Sequence, residues 1–176
     1  MKKNSQSQSL VFKITQGAVI AALYTVLTLA IAPLGFGDIQ LRISEILVIL
    51  PLFTPVSIVG LTVGCLLTNF LGLVMGFNPL GFADMFFGTA ATFIAAIFTW
   101  ALRNVKIKSF PFFSFLPPII FNALIIGAEL HFILHLPFII SSFQVFVGEA
   151  ISVFLFGIPL YFLLNKKSIK LAIFKN

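Results

Sequence analysis

Charge is what this chain of 176 residues has least of: Asp, Glu, Lys and Arg together make up 9% of it. Soluble domains carry about 25% charged residues to cover a water-facing surface, so an ordinary soluble fold is excluded. Disorder needs low hydrophobicity and high net charge, and here 60% of the residues are hydrophobic. The single cysteine, Cys65, permits no internal disulfide and sits in an apolar run as a small packing residue. Short strands of alternating polarity, the mark of a membrane barrel, are missing as well. So are the phosphate-cradling GxxxxGKS/T loop, the GxSxG nucleophile elbow and the HExxH zinc helix. With these motifs missing, the sequence gives no support for enzymatic activity, and no cofactor is expected.

What is present is a series of long apolar runs, which implies a polytopic all-α membrane protein. A crossing helix needs about 20 mostly apolar residues. Cutting at Pro, Gly and charge predicts six transmembrane helices: Ile14–Leu34, Ile39–Phe53, Val56–Val74, Leu80–Leu102, Phe115–Leu134 and Phe138–Leu164. The second is short, and is expected to be tilted, broken or only partly in the bilayer. Met1-Lys2-Lys3 has the look of a signal peptide, but no small-residue cleavage site follows the first run and further spans come after it. That run is therefore read as a retained helix. Residues 1–13 form an N-terminal tail, 14–164 the membrane domain, and 165–176 a basic C-terminal tail.

Lys2, Lys3 and Lys13 precede the first span, Arg103, Lys106 and Lys108 lie between the fourth and fifth, and Lys166, Lys167, Lys170 and Lys175 follow the sixth. Six crossings put all three clusters on one face, which the positive-inside rule assigns to the cytoplasm with both termini. The net charge of +6 thus reflects topology and contact with anionic lipid of the bilayer, and no nucleic acid need be invoked.

The eleventh basic residue, Arg42, falls in the outer half beside Asp38, Gln40 and Glu45. The other three acids, Asp84, Glu129 and Glu149, map to the same half, so all five acids of the chain lie there. Asn69, Asn78, Asn122, His131, His135, Ser141, Ser142 and Gln144 join them. An ionisable group costs roughly 2.5–3.5 kcal/mol at a helix centre, so membrane-embedded charges face a cavity or one another. Arg42 and Glu45, three apart, can meet along one helix; Asn122 and Glu129, and likewise Ser142 and Glu149, share faces at a spacing of seven. The expectation is one wet pocket open to the outside, with five acids against one Arg, suited to a cation or a donor-rich ligand. Structural roles stay open: Arg42 pairing with Glu45 or Asp38 to lock a helix end, and Asn69 and Asn122 as interhelical hydrogen-bond glue. His131 and His135 have a metal-like spacing of four but read as interfacial histidines. In the first span Gly17 and Ala21, and Ala18 and Ala22, are small-xxx-small pairs that let another helix come close.

Several segments taken in order resemble one family: Ile39-Gln40-Leu41-Arg42-Ile43-Ser44-Glu45, Leu50-Pro51, Gly64-Cys65-Leu66-Leu67-Thr68-Asn69, Asp84-Met85-Phe86-Phe87-Gly88-Thr89, Asn122 through Glu129, Gly148-Glu149 and Gly157-Ile158-Pro159. The chain is similar to the queuosine-precursor transporters, the substrate-binding S-components of prokaryotic energy-coupling factor (ECF) importers. The resemblance implies an ECF S-component-like six-helix bundle in the cell membrane that binds a queuosine precursor from outside. The substrate would be a 7-deazaguanine such as the 7-aminomethyl compound. It also implies an ECF transmembrane coupling subunit docking on the first helix, where Ala18 and Ala22 fit the AxxxA pattern, and two ATPase subunits supplying energy. The ligand-binding candidates are Arg42, Glu45, Asn69, Asp84, Asn122, Glu129, Gln144 and Glu149. A stand-alone proton-coupled secondary transporter of a small cationic or donor-rich heterocycle would hold intramembrane carboxylates too, and is the alternative.

Overall fold

The computed structural model describes residues 2–36 and 42–174, and Asp38 and Gln40 lie outside the described residues. Within them the chain is helical and contains no strand. The elements are α1 (Lys2–Leu29), α2 (Ile43–Leu52), α3 (Val56–Val74), α4 (Phe82–Ala101), α5 (Leu116–Leu134), α6 (Phe138–Leu164) and α7 (Lys167–Ile173). α1 already begins at Lys2, inside the stretch read as a tail. It stops at Leu29 because Pro33 has no N–H to bond the Leu29 carbonyl, and a separate turn, Ala32–Gly35, follows. Gly76 (φ 76°) and Gly81 (φ 65°) supply the left-handed conformations of the α3–α4 turn.

Five helices are long and apolar enough to cross a membrane: Leu10–Leu29, Val56–Val74, Phe82–Asn104, Phe112–Leu134 and Phe138–Leu164. The short second span departs from that pattern. Its described part, α2, is ten residues wound as a 3-10 helix. At about 2.0 Å per residue it extends roughly 20 Å, where α-helical winding at about 1.5 Å would give roughly 15 Å. In a 3-10 helix residues three apart eclipse, so α2 has three rows of side chains. Ser44, Leu47 and Leu50 form one buried row, Glu45, Val48 and Pro51 a second, while Ile43, Ile46 and Leu52 of the third are half-buried. Opposite it, residues Ile151–Gly157 of α6 are wound as a π-helix, and a Cβ on Gly157 would meet Ile49 at 3.4 Å.

α1 and α3 pack through small residues. Gly60 and Gly64 of α3 form a GxxxG pair, which lets backbones approach closely. A Cβ on Gly60 would stand 2.8 Å from the Gly17 carbonyl oxygen, and one on Gly64 3.0 Å from the Ala21 Cα. The small residues of α1 are therefore divided: Gly17 and Ala21 face α3, whereas Ala18 and Ala22 remain exposed.

Gln16 of α1 donates to the Ile173 carbonyl of α7 at 3.2 Å. Phe110 of the α4–α5 loop stacks on Phe162 near the end of α6 at 5.7 Å. The N-terminal half of α1, the α4–α5 loop and the C-terminal turns thus share one end of the bundle, which carries the basic clusters. The polar residues described next lie from the middle of the bundle toward the other end.

Candidate functional site

Arg42 precedes α2 in an extended conformation (φ −98°, ψ 104°), so it does not run along the helix to Glu45 as its spacing suggested. It crosses instead to α4, donating from Nη2 to Asp84 Oδ2 at 3.1 Å. Its Nε donates to the Gly35 carbonyl at 3.2 Å, and its guanidinium lies 5.3 Å from the centre of the Phe36 ring. Asp84 sits in the first turn of α4, where a helix dipole favours an anion. Asn78 donates to Asp84 Oδ2 as well, at 2.8 Å. From α3, Asn69 donates to the Asp84 carbonyl at 2.7 Å, an interhelical bond of the kind expected for it. Gly88, one turn on, makes this approach possible, since a Cβ there would stand 2.7 Å from Asn69 Nδ2.

Glu45 accepts a hydrogen bond on Oε1 from the hydroxyl of Tyr24 in α1, and Thr28 bonds Ser44 alongside at 2.6 Å. Asn122 of α5 donates to Glu149 Oε1 of α6 at 2.9 Å and stands against Glu45 as well. Tyr24, Glu45, Asn122 and Glu149 thus link α1, α2, α5 and α6. The field of Arg42 reaches Glu45, Glu129 and Glu149, which joins both sets of contacts into one cluster.

Arg42, Glu45, Asn69, Asp84, Asn122, Glu129 and Glu149 are each at most 4% exposed. The structure therefore brings these candidates together but seals them inside the bundle, rather than along an open wet pocket. Close packing explains the difference: Phe36, itself buried, wedges between Arg42 and Gly72, and Gly127 lets α5 approach Ser142 of α6. Gln144 is not part of the cluster. It is half-buried on α6 and points about 140° away from Glu149 at 100° per residue. His131 donates from Nδ1 to the Leu136 carbonyl at 2.7 Å, and His135 (φ 56°) closes α5 in the left-handed conformation.

Inside the cluster, six acceptor oxygens have no hydrogen-bond partner among the described residues: Glu45 Oε2, Asn69 Oδ1, Asp84 Oδ1, Glu149 Oε2 and both oxygens of Glu129. They come from α2, α3, α4, α5 and α6. A buried acceptor left unpaired costs about 1–3 kcal/mol, so their gathering at one place fits a partner rich in donors. Sequence reasoning missed Tyr24, Thr28 and Ser44. The signal was there: Gly17, Ala21, Tyr24 and Thr28 fall on one helical stripe, which marks Tyr24 as inward-facing.

A family model described as QueT transporter matches residues 14–166. The queuosine precursor transporter QueT of Lactococcus lactis subsp. cremoris (strain MG1363) is 30% identical over 156 residues, covering 84% of this chain and 89% of the relative. No solved structure matches. The matched region takes in α1 from residue 14 onward and every element through α6, including all members of the polar cluster. On that extent of agreement, this multi-pass membrane protein belongs to the QueT transporter family.

Proposed function

We infer that this chain is the substrate-binding membrane subunit, or S-component, of an ECF-type importer that takes up a queuosine precursor, a 7-deazaguanine such as 7-aminomethyl-7-deazaguanine. The observation that carries the reading is the set of buried acceptor oxygens without partners on five separate helices. A 7-deazaguanine is complementary to it. Its pairing edge offers N–H donors that carboxylates accept, its carbonyl accepts from Arg or Asn, and a protonated aminomethyl group pairs with a further carboxylate. Glu45, Glu129 and Glu149 supply the acceptors, with Asp84 and Asn69 adding one oxygen each. Arg42 orients the ring, and Asn122 holds the Glu149 carboxyl in place.

The description of the Lactococcus lactis relative as a queuosine precursor transporter supports the substrate class. With no phosphate-cradling loop in the sequence, energy comes from two partner ATPases through a membrane coupling subunit. That subunit docks on Ala18 and Ala22, which α1 leaves exposed. The basic end of the bundle faces the cytoplasm with both termini, in the cell membrane, and the carboxylate cluster lies toward the outside.

Calorimetry on purified protein in nanodiscs tests the reading. Wild type binds the 7-aminomethyl compound, and Glu129→Gln and Glu149→Gln each weaken binding about tenfold or more, or about 1.4 kcal/mol. Unchanged affinity in both variants removes these residues from the site. Uptake by proteoliposomes holding this chain alone, without ATPases, would establish a proton-coupled carrier instead.

A further inference from the structure

We propose that Glu129 and the groove beside it form a side pocket of the ligand site, which takes an apolar or aromatic substituent carried on the amine of the 7-aminomethyl group. The groove, about 560 Å³, runs between α4 and α5 and is walled by Phe87 and Ala90 on one side and Leu124, Ala128 and Phe132 on the other, with Glu129 among its lining residues. Glu129 is 3% exposed, and neither of its oxygens has a partner among the described residues. The other two buried glutamates are each anchored by one oxygen, Glu45 to Tyr24 and Glu149 to Asn122. Glu129 is the member of the cluster that is both unanchored and adjacent to a groove, while the fields of Asp84 and Arg42 still reach it.

The chemistry of such a place is specific. A buried carboxylate pairs with a cation, and an ammonium that keeps N–H donors after alkylation still satisfies both oxygens. The groove walls are apolar, with Phe87 and Phe132 exposed as surfaces on which a ring can lie. A group attached to an amine paired with Glu129 is directed to the groove that Glu129 helps to line. Glu45 and Glu149, each tied through one oxygen, are not among the residues that line this groove.

The proposal rests on the reading that the cluster binds 7-aminomethyl-7-deazaguanine, and competition binding separates the two. The probes are that compound and its N-benzyl derivative, measured on wild type, Ala128→Phe and Leu124→Phe. The expected result is N-benzyl affinity within about tenfold of the parent in wild type. In the groove-filling variants the N-benzyl compound loses at least about tenfold while the parent keeps its affinity, which also serves as the control for folding. Leu124 is half-exposed on α5, so its variant keeps the test available if Ala128→Phe fails to fold. An N-benzyl compound weaker than the parent by about a hundredfold or more in wild type overturns the side pocket. Groove variants that weaken both compounds alike, or neither, overturn it too. Failure of wild type to bind the parent compound refutes the substrate reading itself, and the side pocket with it.

Discussion

The Arg42–Asp84 pair offers the most direct test of how the polar cluster is held. Both partners are buried, at 4% and 0% exposure, with Nη2 and Oδ2 3.1 Å apart. Removing one partner of a buried ion pair typically costs about 3–5 kcal/mol, because it strands the other charge away from water. Arg42→Met leaves Asp84 with its Asn78 bond at 2.8 Å, which offsets part of the loss, so the lower end of that range, about 3 kcal/mol, is expected. Asp84→Asn leaves the Arg42 guanidinium without its counter-charge, beside the Gly35 carbonyl and the Phe36 ring, and should cost a similar amount. The double variant Arg42→Met with Asp84→Asn removes both charges and returns to within about 1 kcal/mol of wild type. Unfolding in mixed micelles can be followed by the fluorescence of Trp100, the single tryptophan of the chain. Single variants that each lose less than about 1 kcal/mol, or losses that simply add in the double variant, would refute this account.

Tyr24→Phe should cost about 1 kcal/mol of stability and weaken binding of 7-aminomethyl-7-deazaguanine, and both effects should vanish in a Glu45→Ala background if Tyr24 acts through that carboxyl. Gly88→Ala presses a methyl against Asp84 Oδ1 and places it 2.7 Å from Asn69 Nδ2, so about 1–3 kcal/mol should be lost to overpacking; Asn69→Ala in the same chain relieves only the second contact and should recover only part of the lost melting temperature. Ala22→Leu and Gly64→Leu separate the two faces of α1. The first, on an exposed surface, leaves unfolding within about 0.5 kcal/mol of wild type while abolishing uptake in cells. The second, against Ala21, destabilises the bundle and lowers the yield of monodisperse protein.

The long spans were legible in the sequence because apolar length between Pro and Gly breaks is a strong signal, and α3 and α6 keep their predicted bounds. So was the gathering of Glu45, Asp84, Glu129 and Glu149, since the segregation of acids from the basic loops is a one-dimensional pattern. The partnerships were not. Arg42 and Glu45 at a spacing of three imply a local pair only if both lie on a helix, and the extended backbone at Arg42 sends its side chain to α4. Gln144 was grouped with the cluster by depth alone, which says nothing of the direction around the helix axis. The winding of α2 escaped for a similar reason: a short apolar run fixes burial, whereas pitch depends on what the neighbouring helices leave room for.

The brevity of α2 also bears on how the chain enters the bilayer. Ten residues fall well short of the roughly 20 by which an insertion machinery recognises a span, and Arg42 at its start adds about 2.5–3.5 kcal/mol against partitioning if carried to mid-membrane. Taken alone, such a segment would be left at the surface during synthesis. Asp84, the counter-charge that makes its burial tolerable, is not made until α4. Burial of the start of α2 therefore depends on α4, whose Asp84 supplies the counter-charge of Arg42.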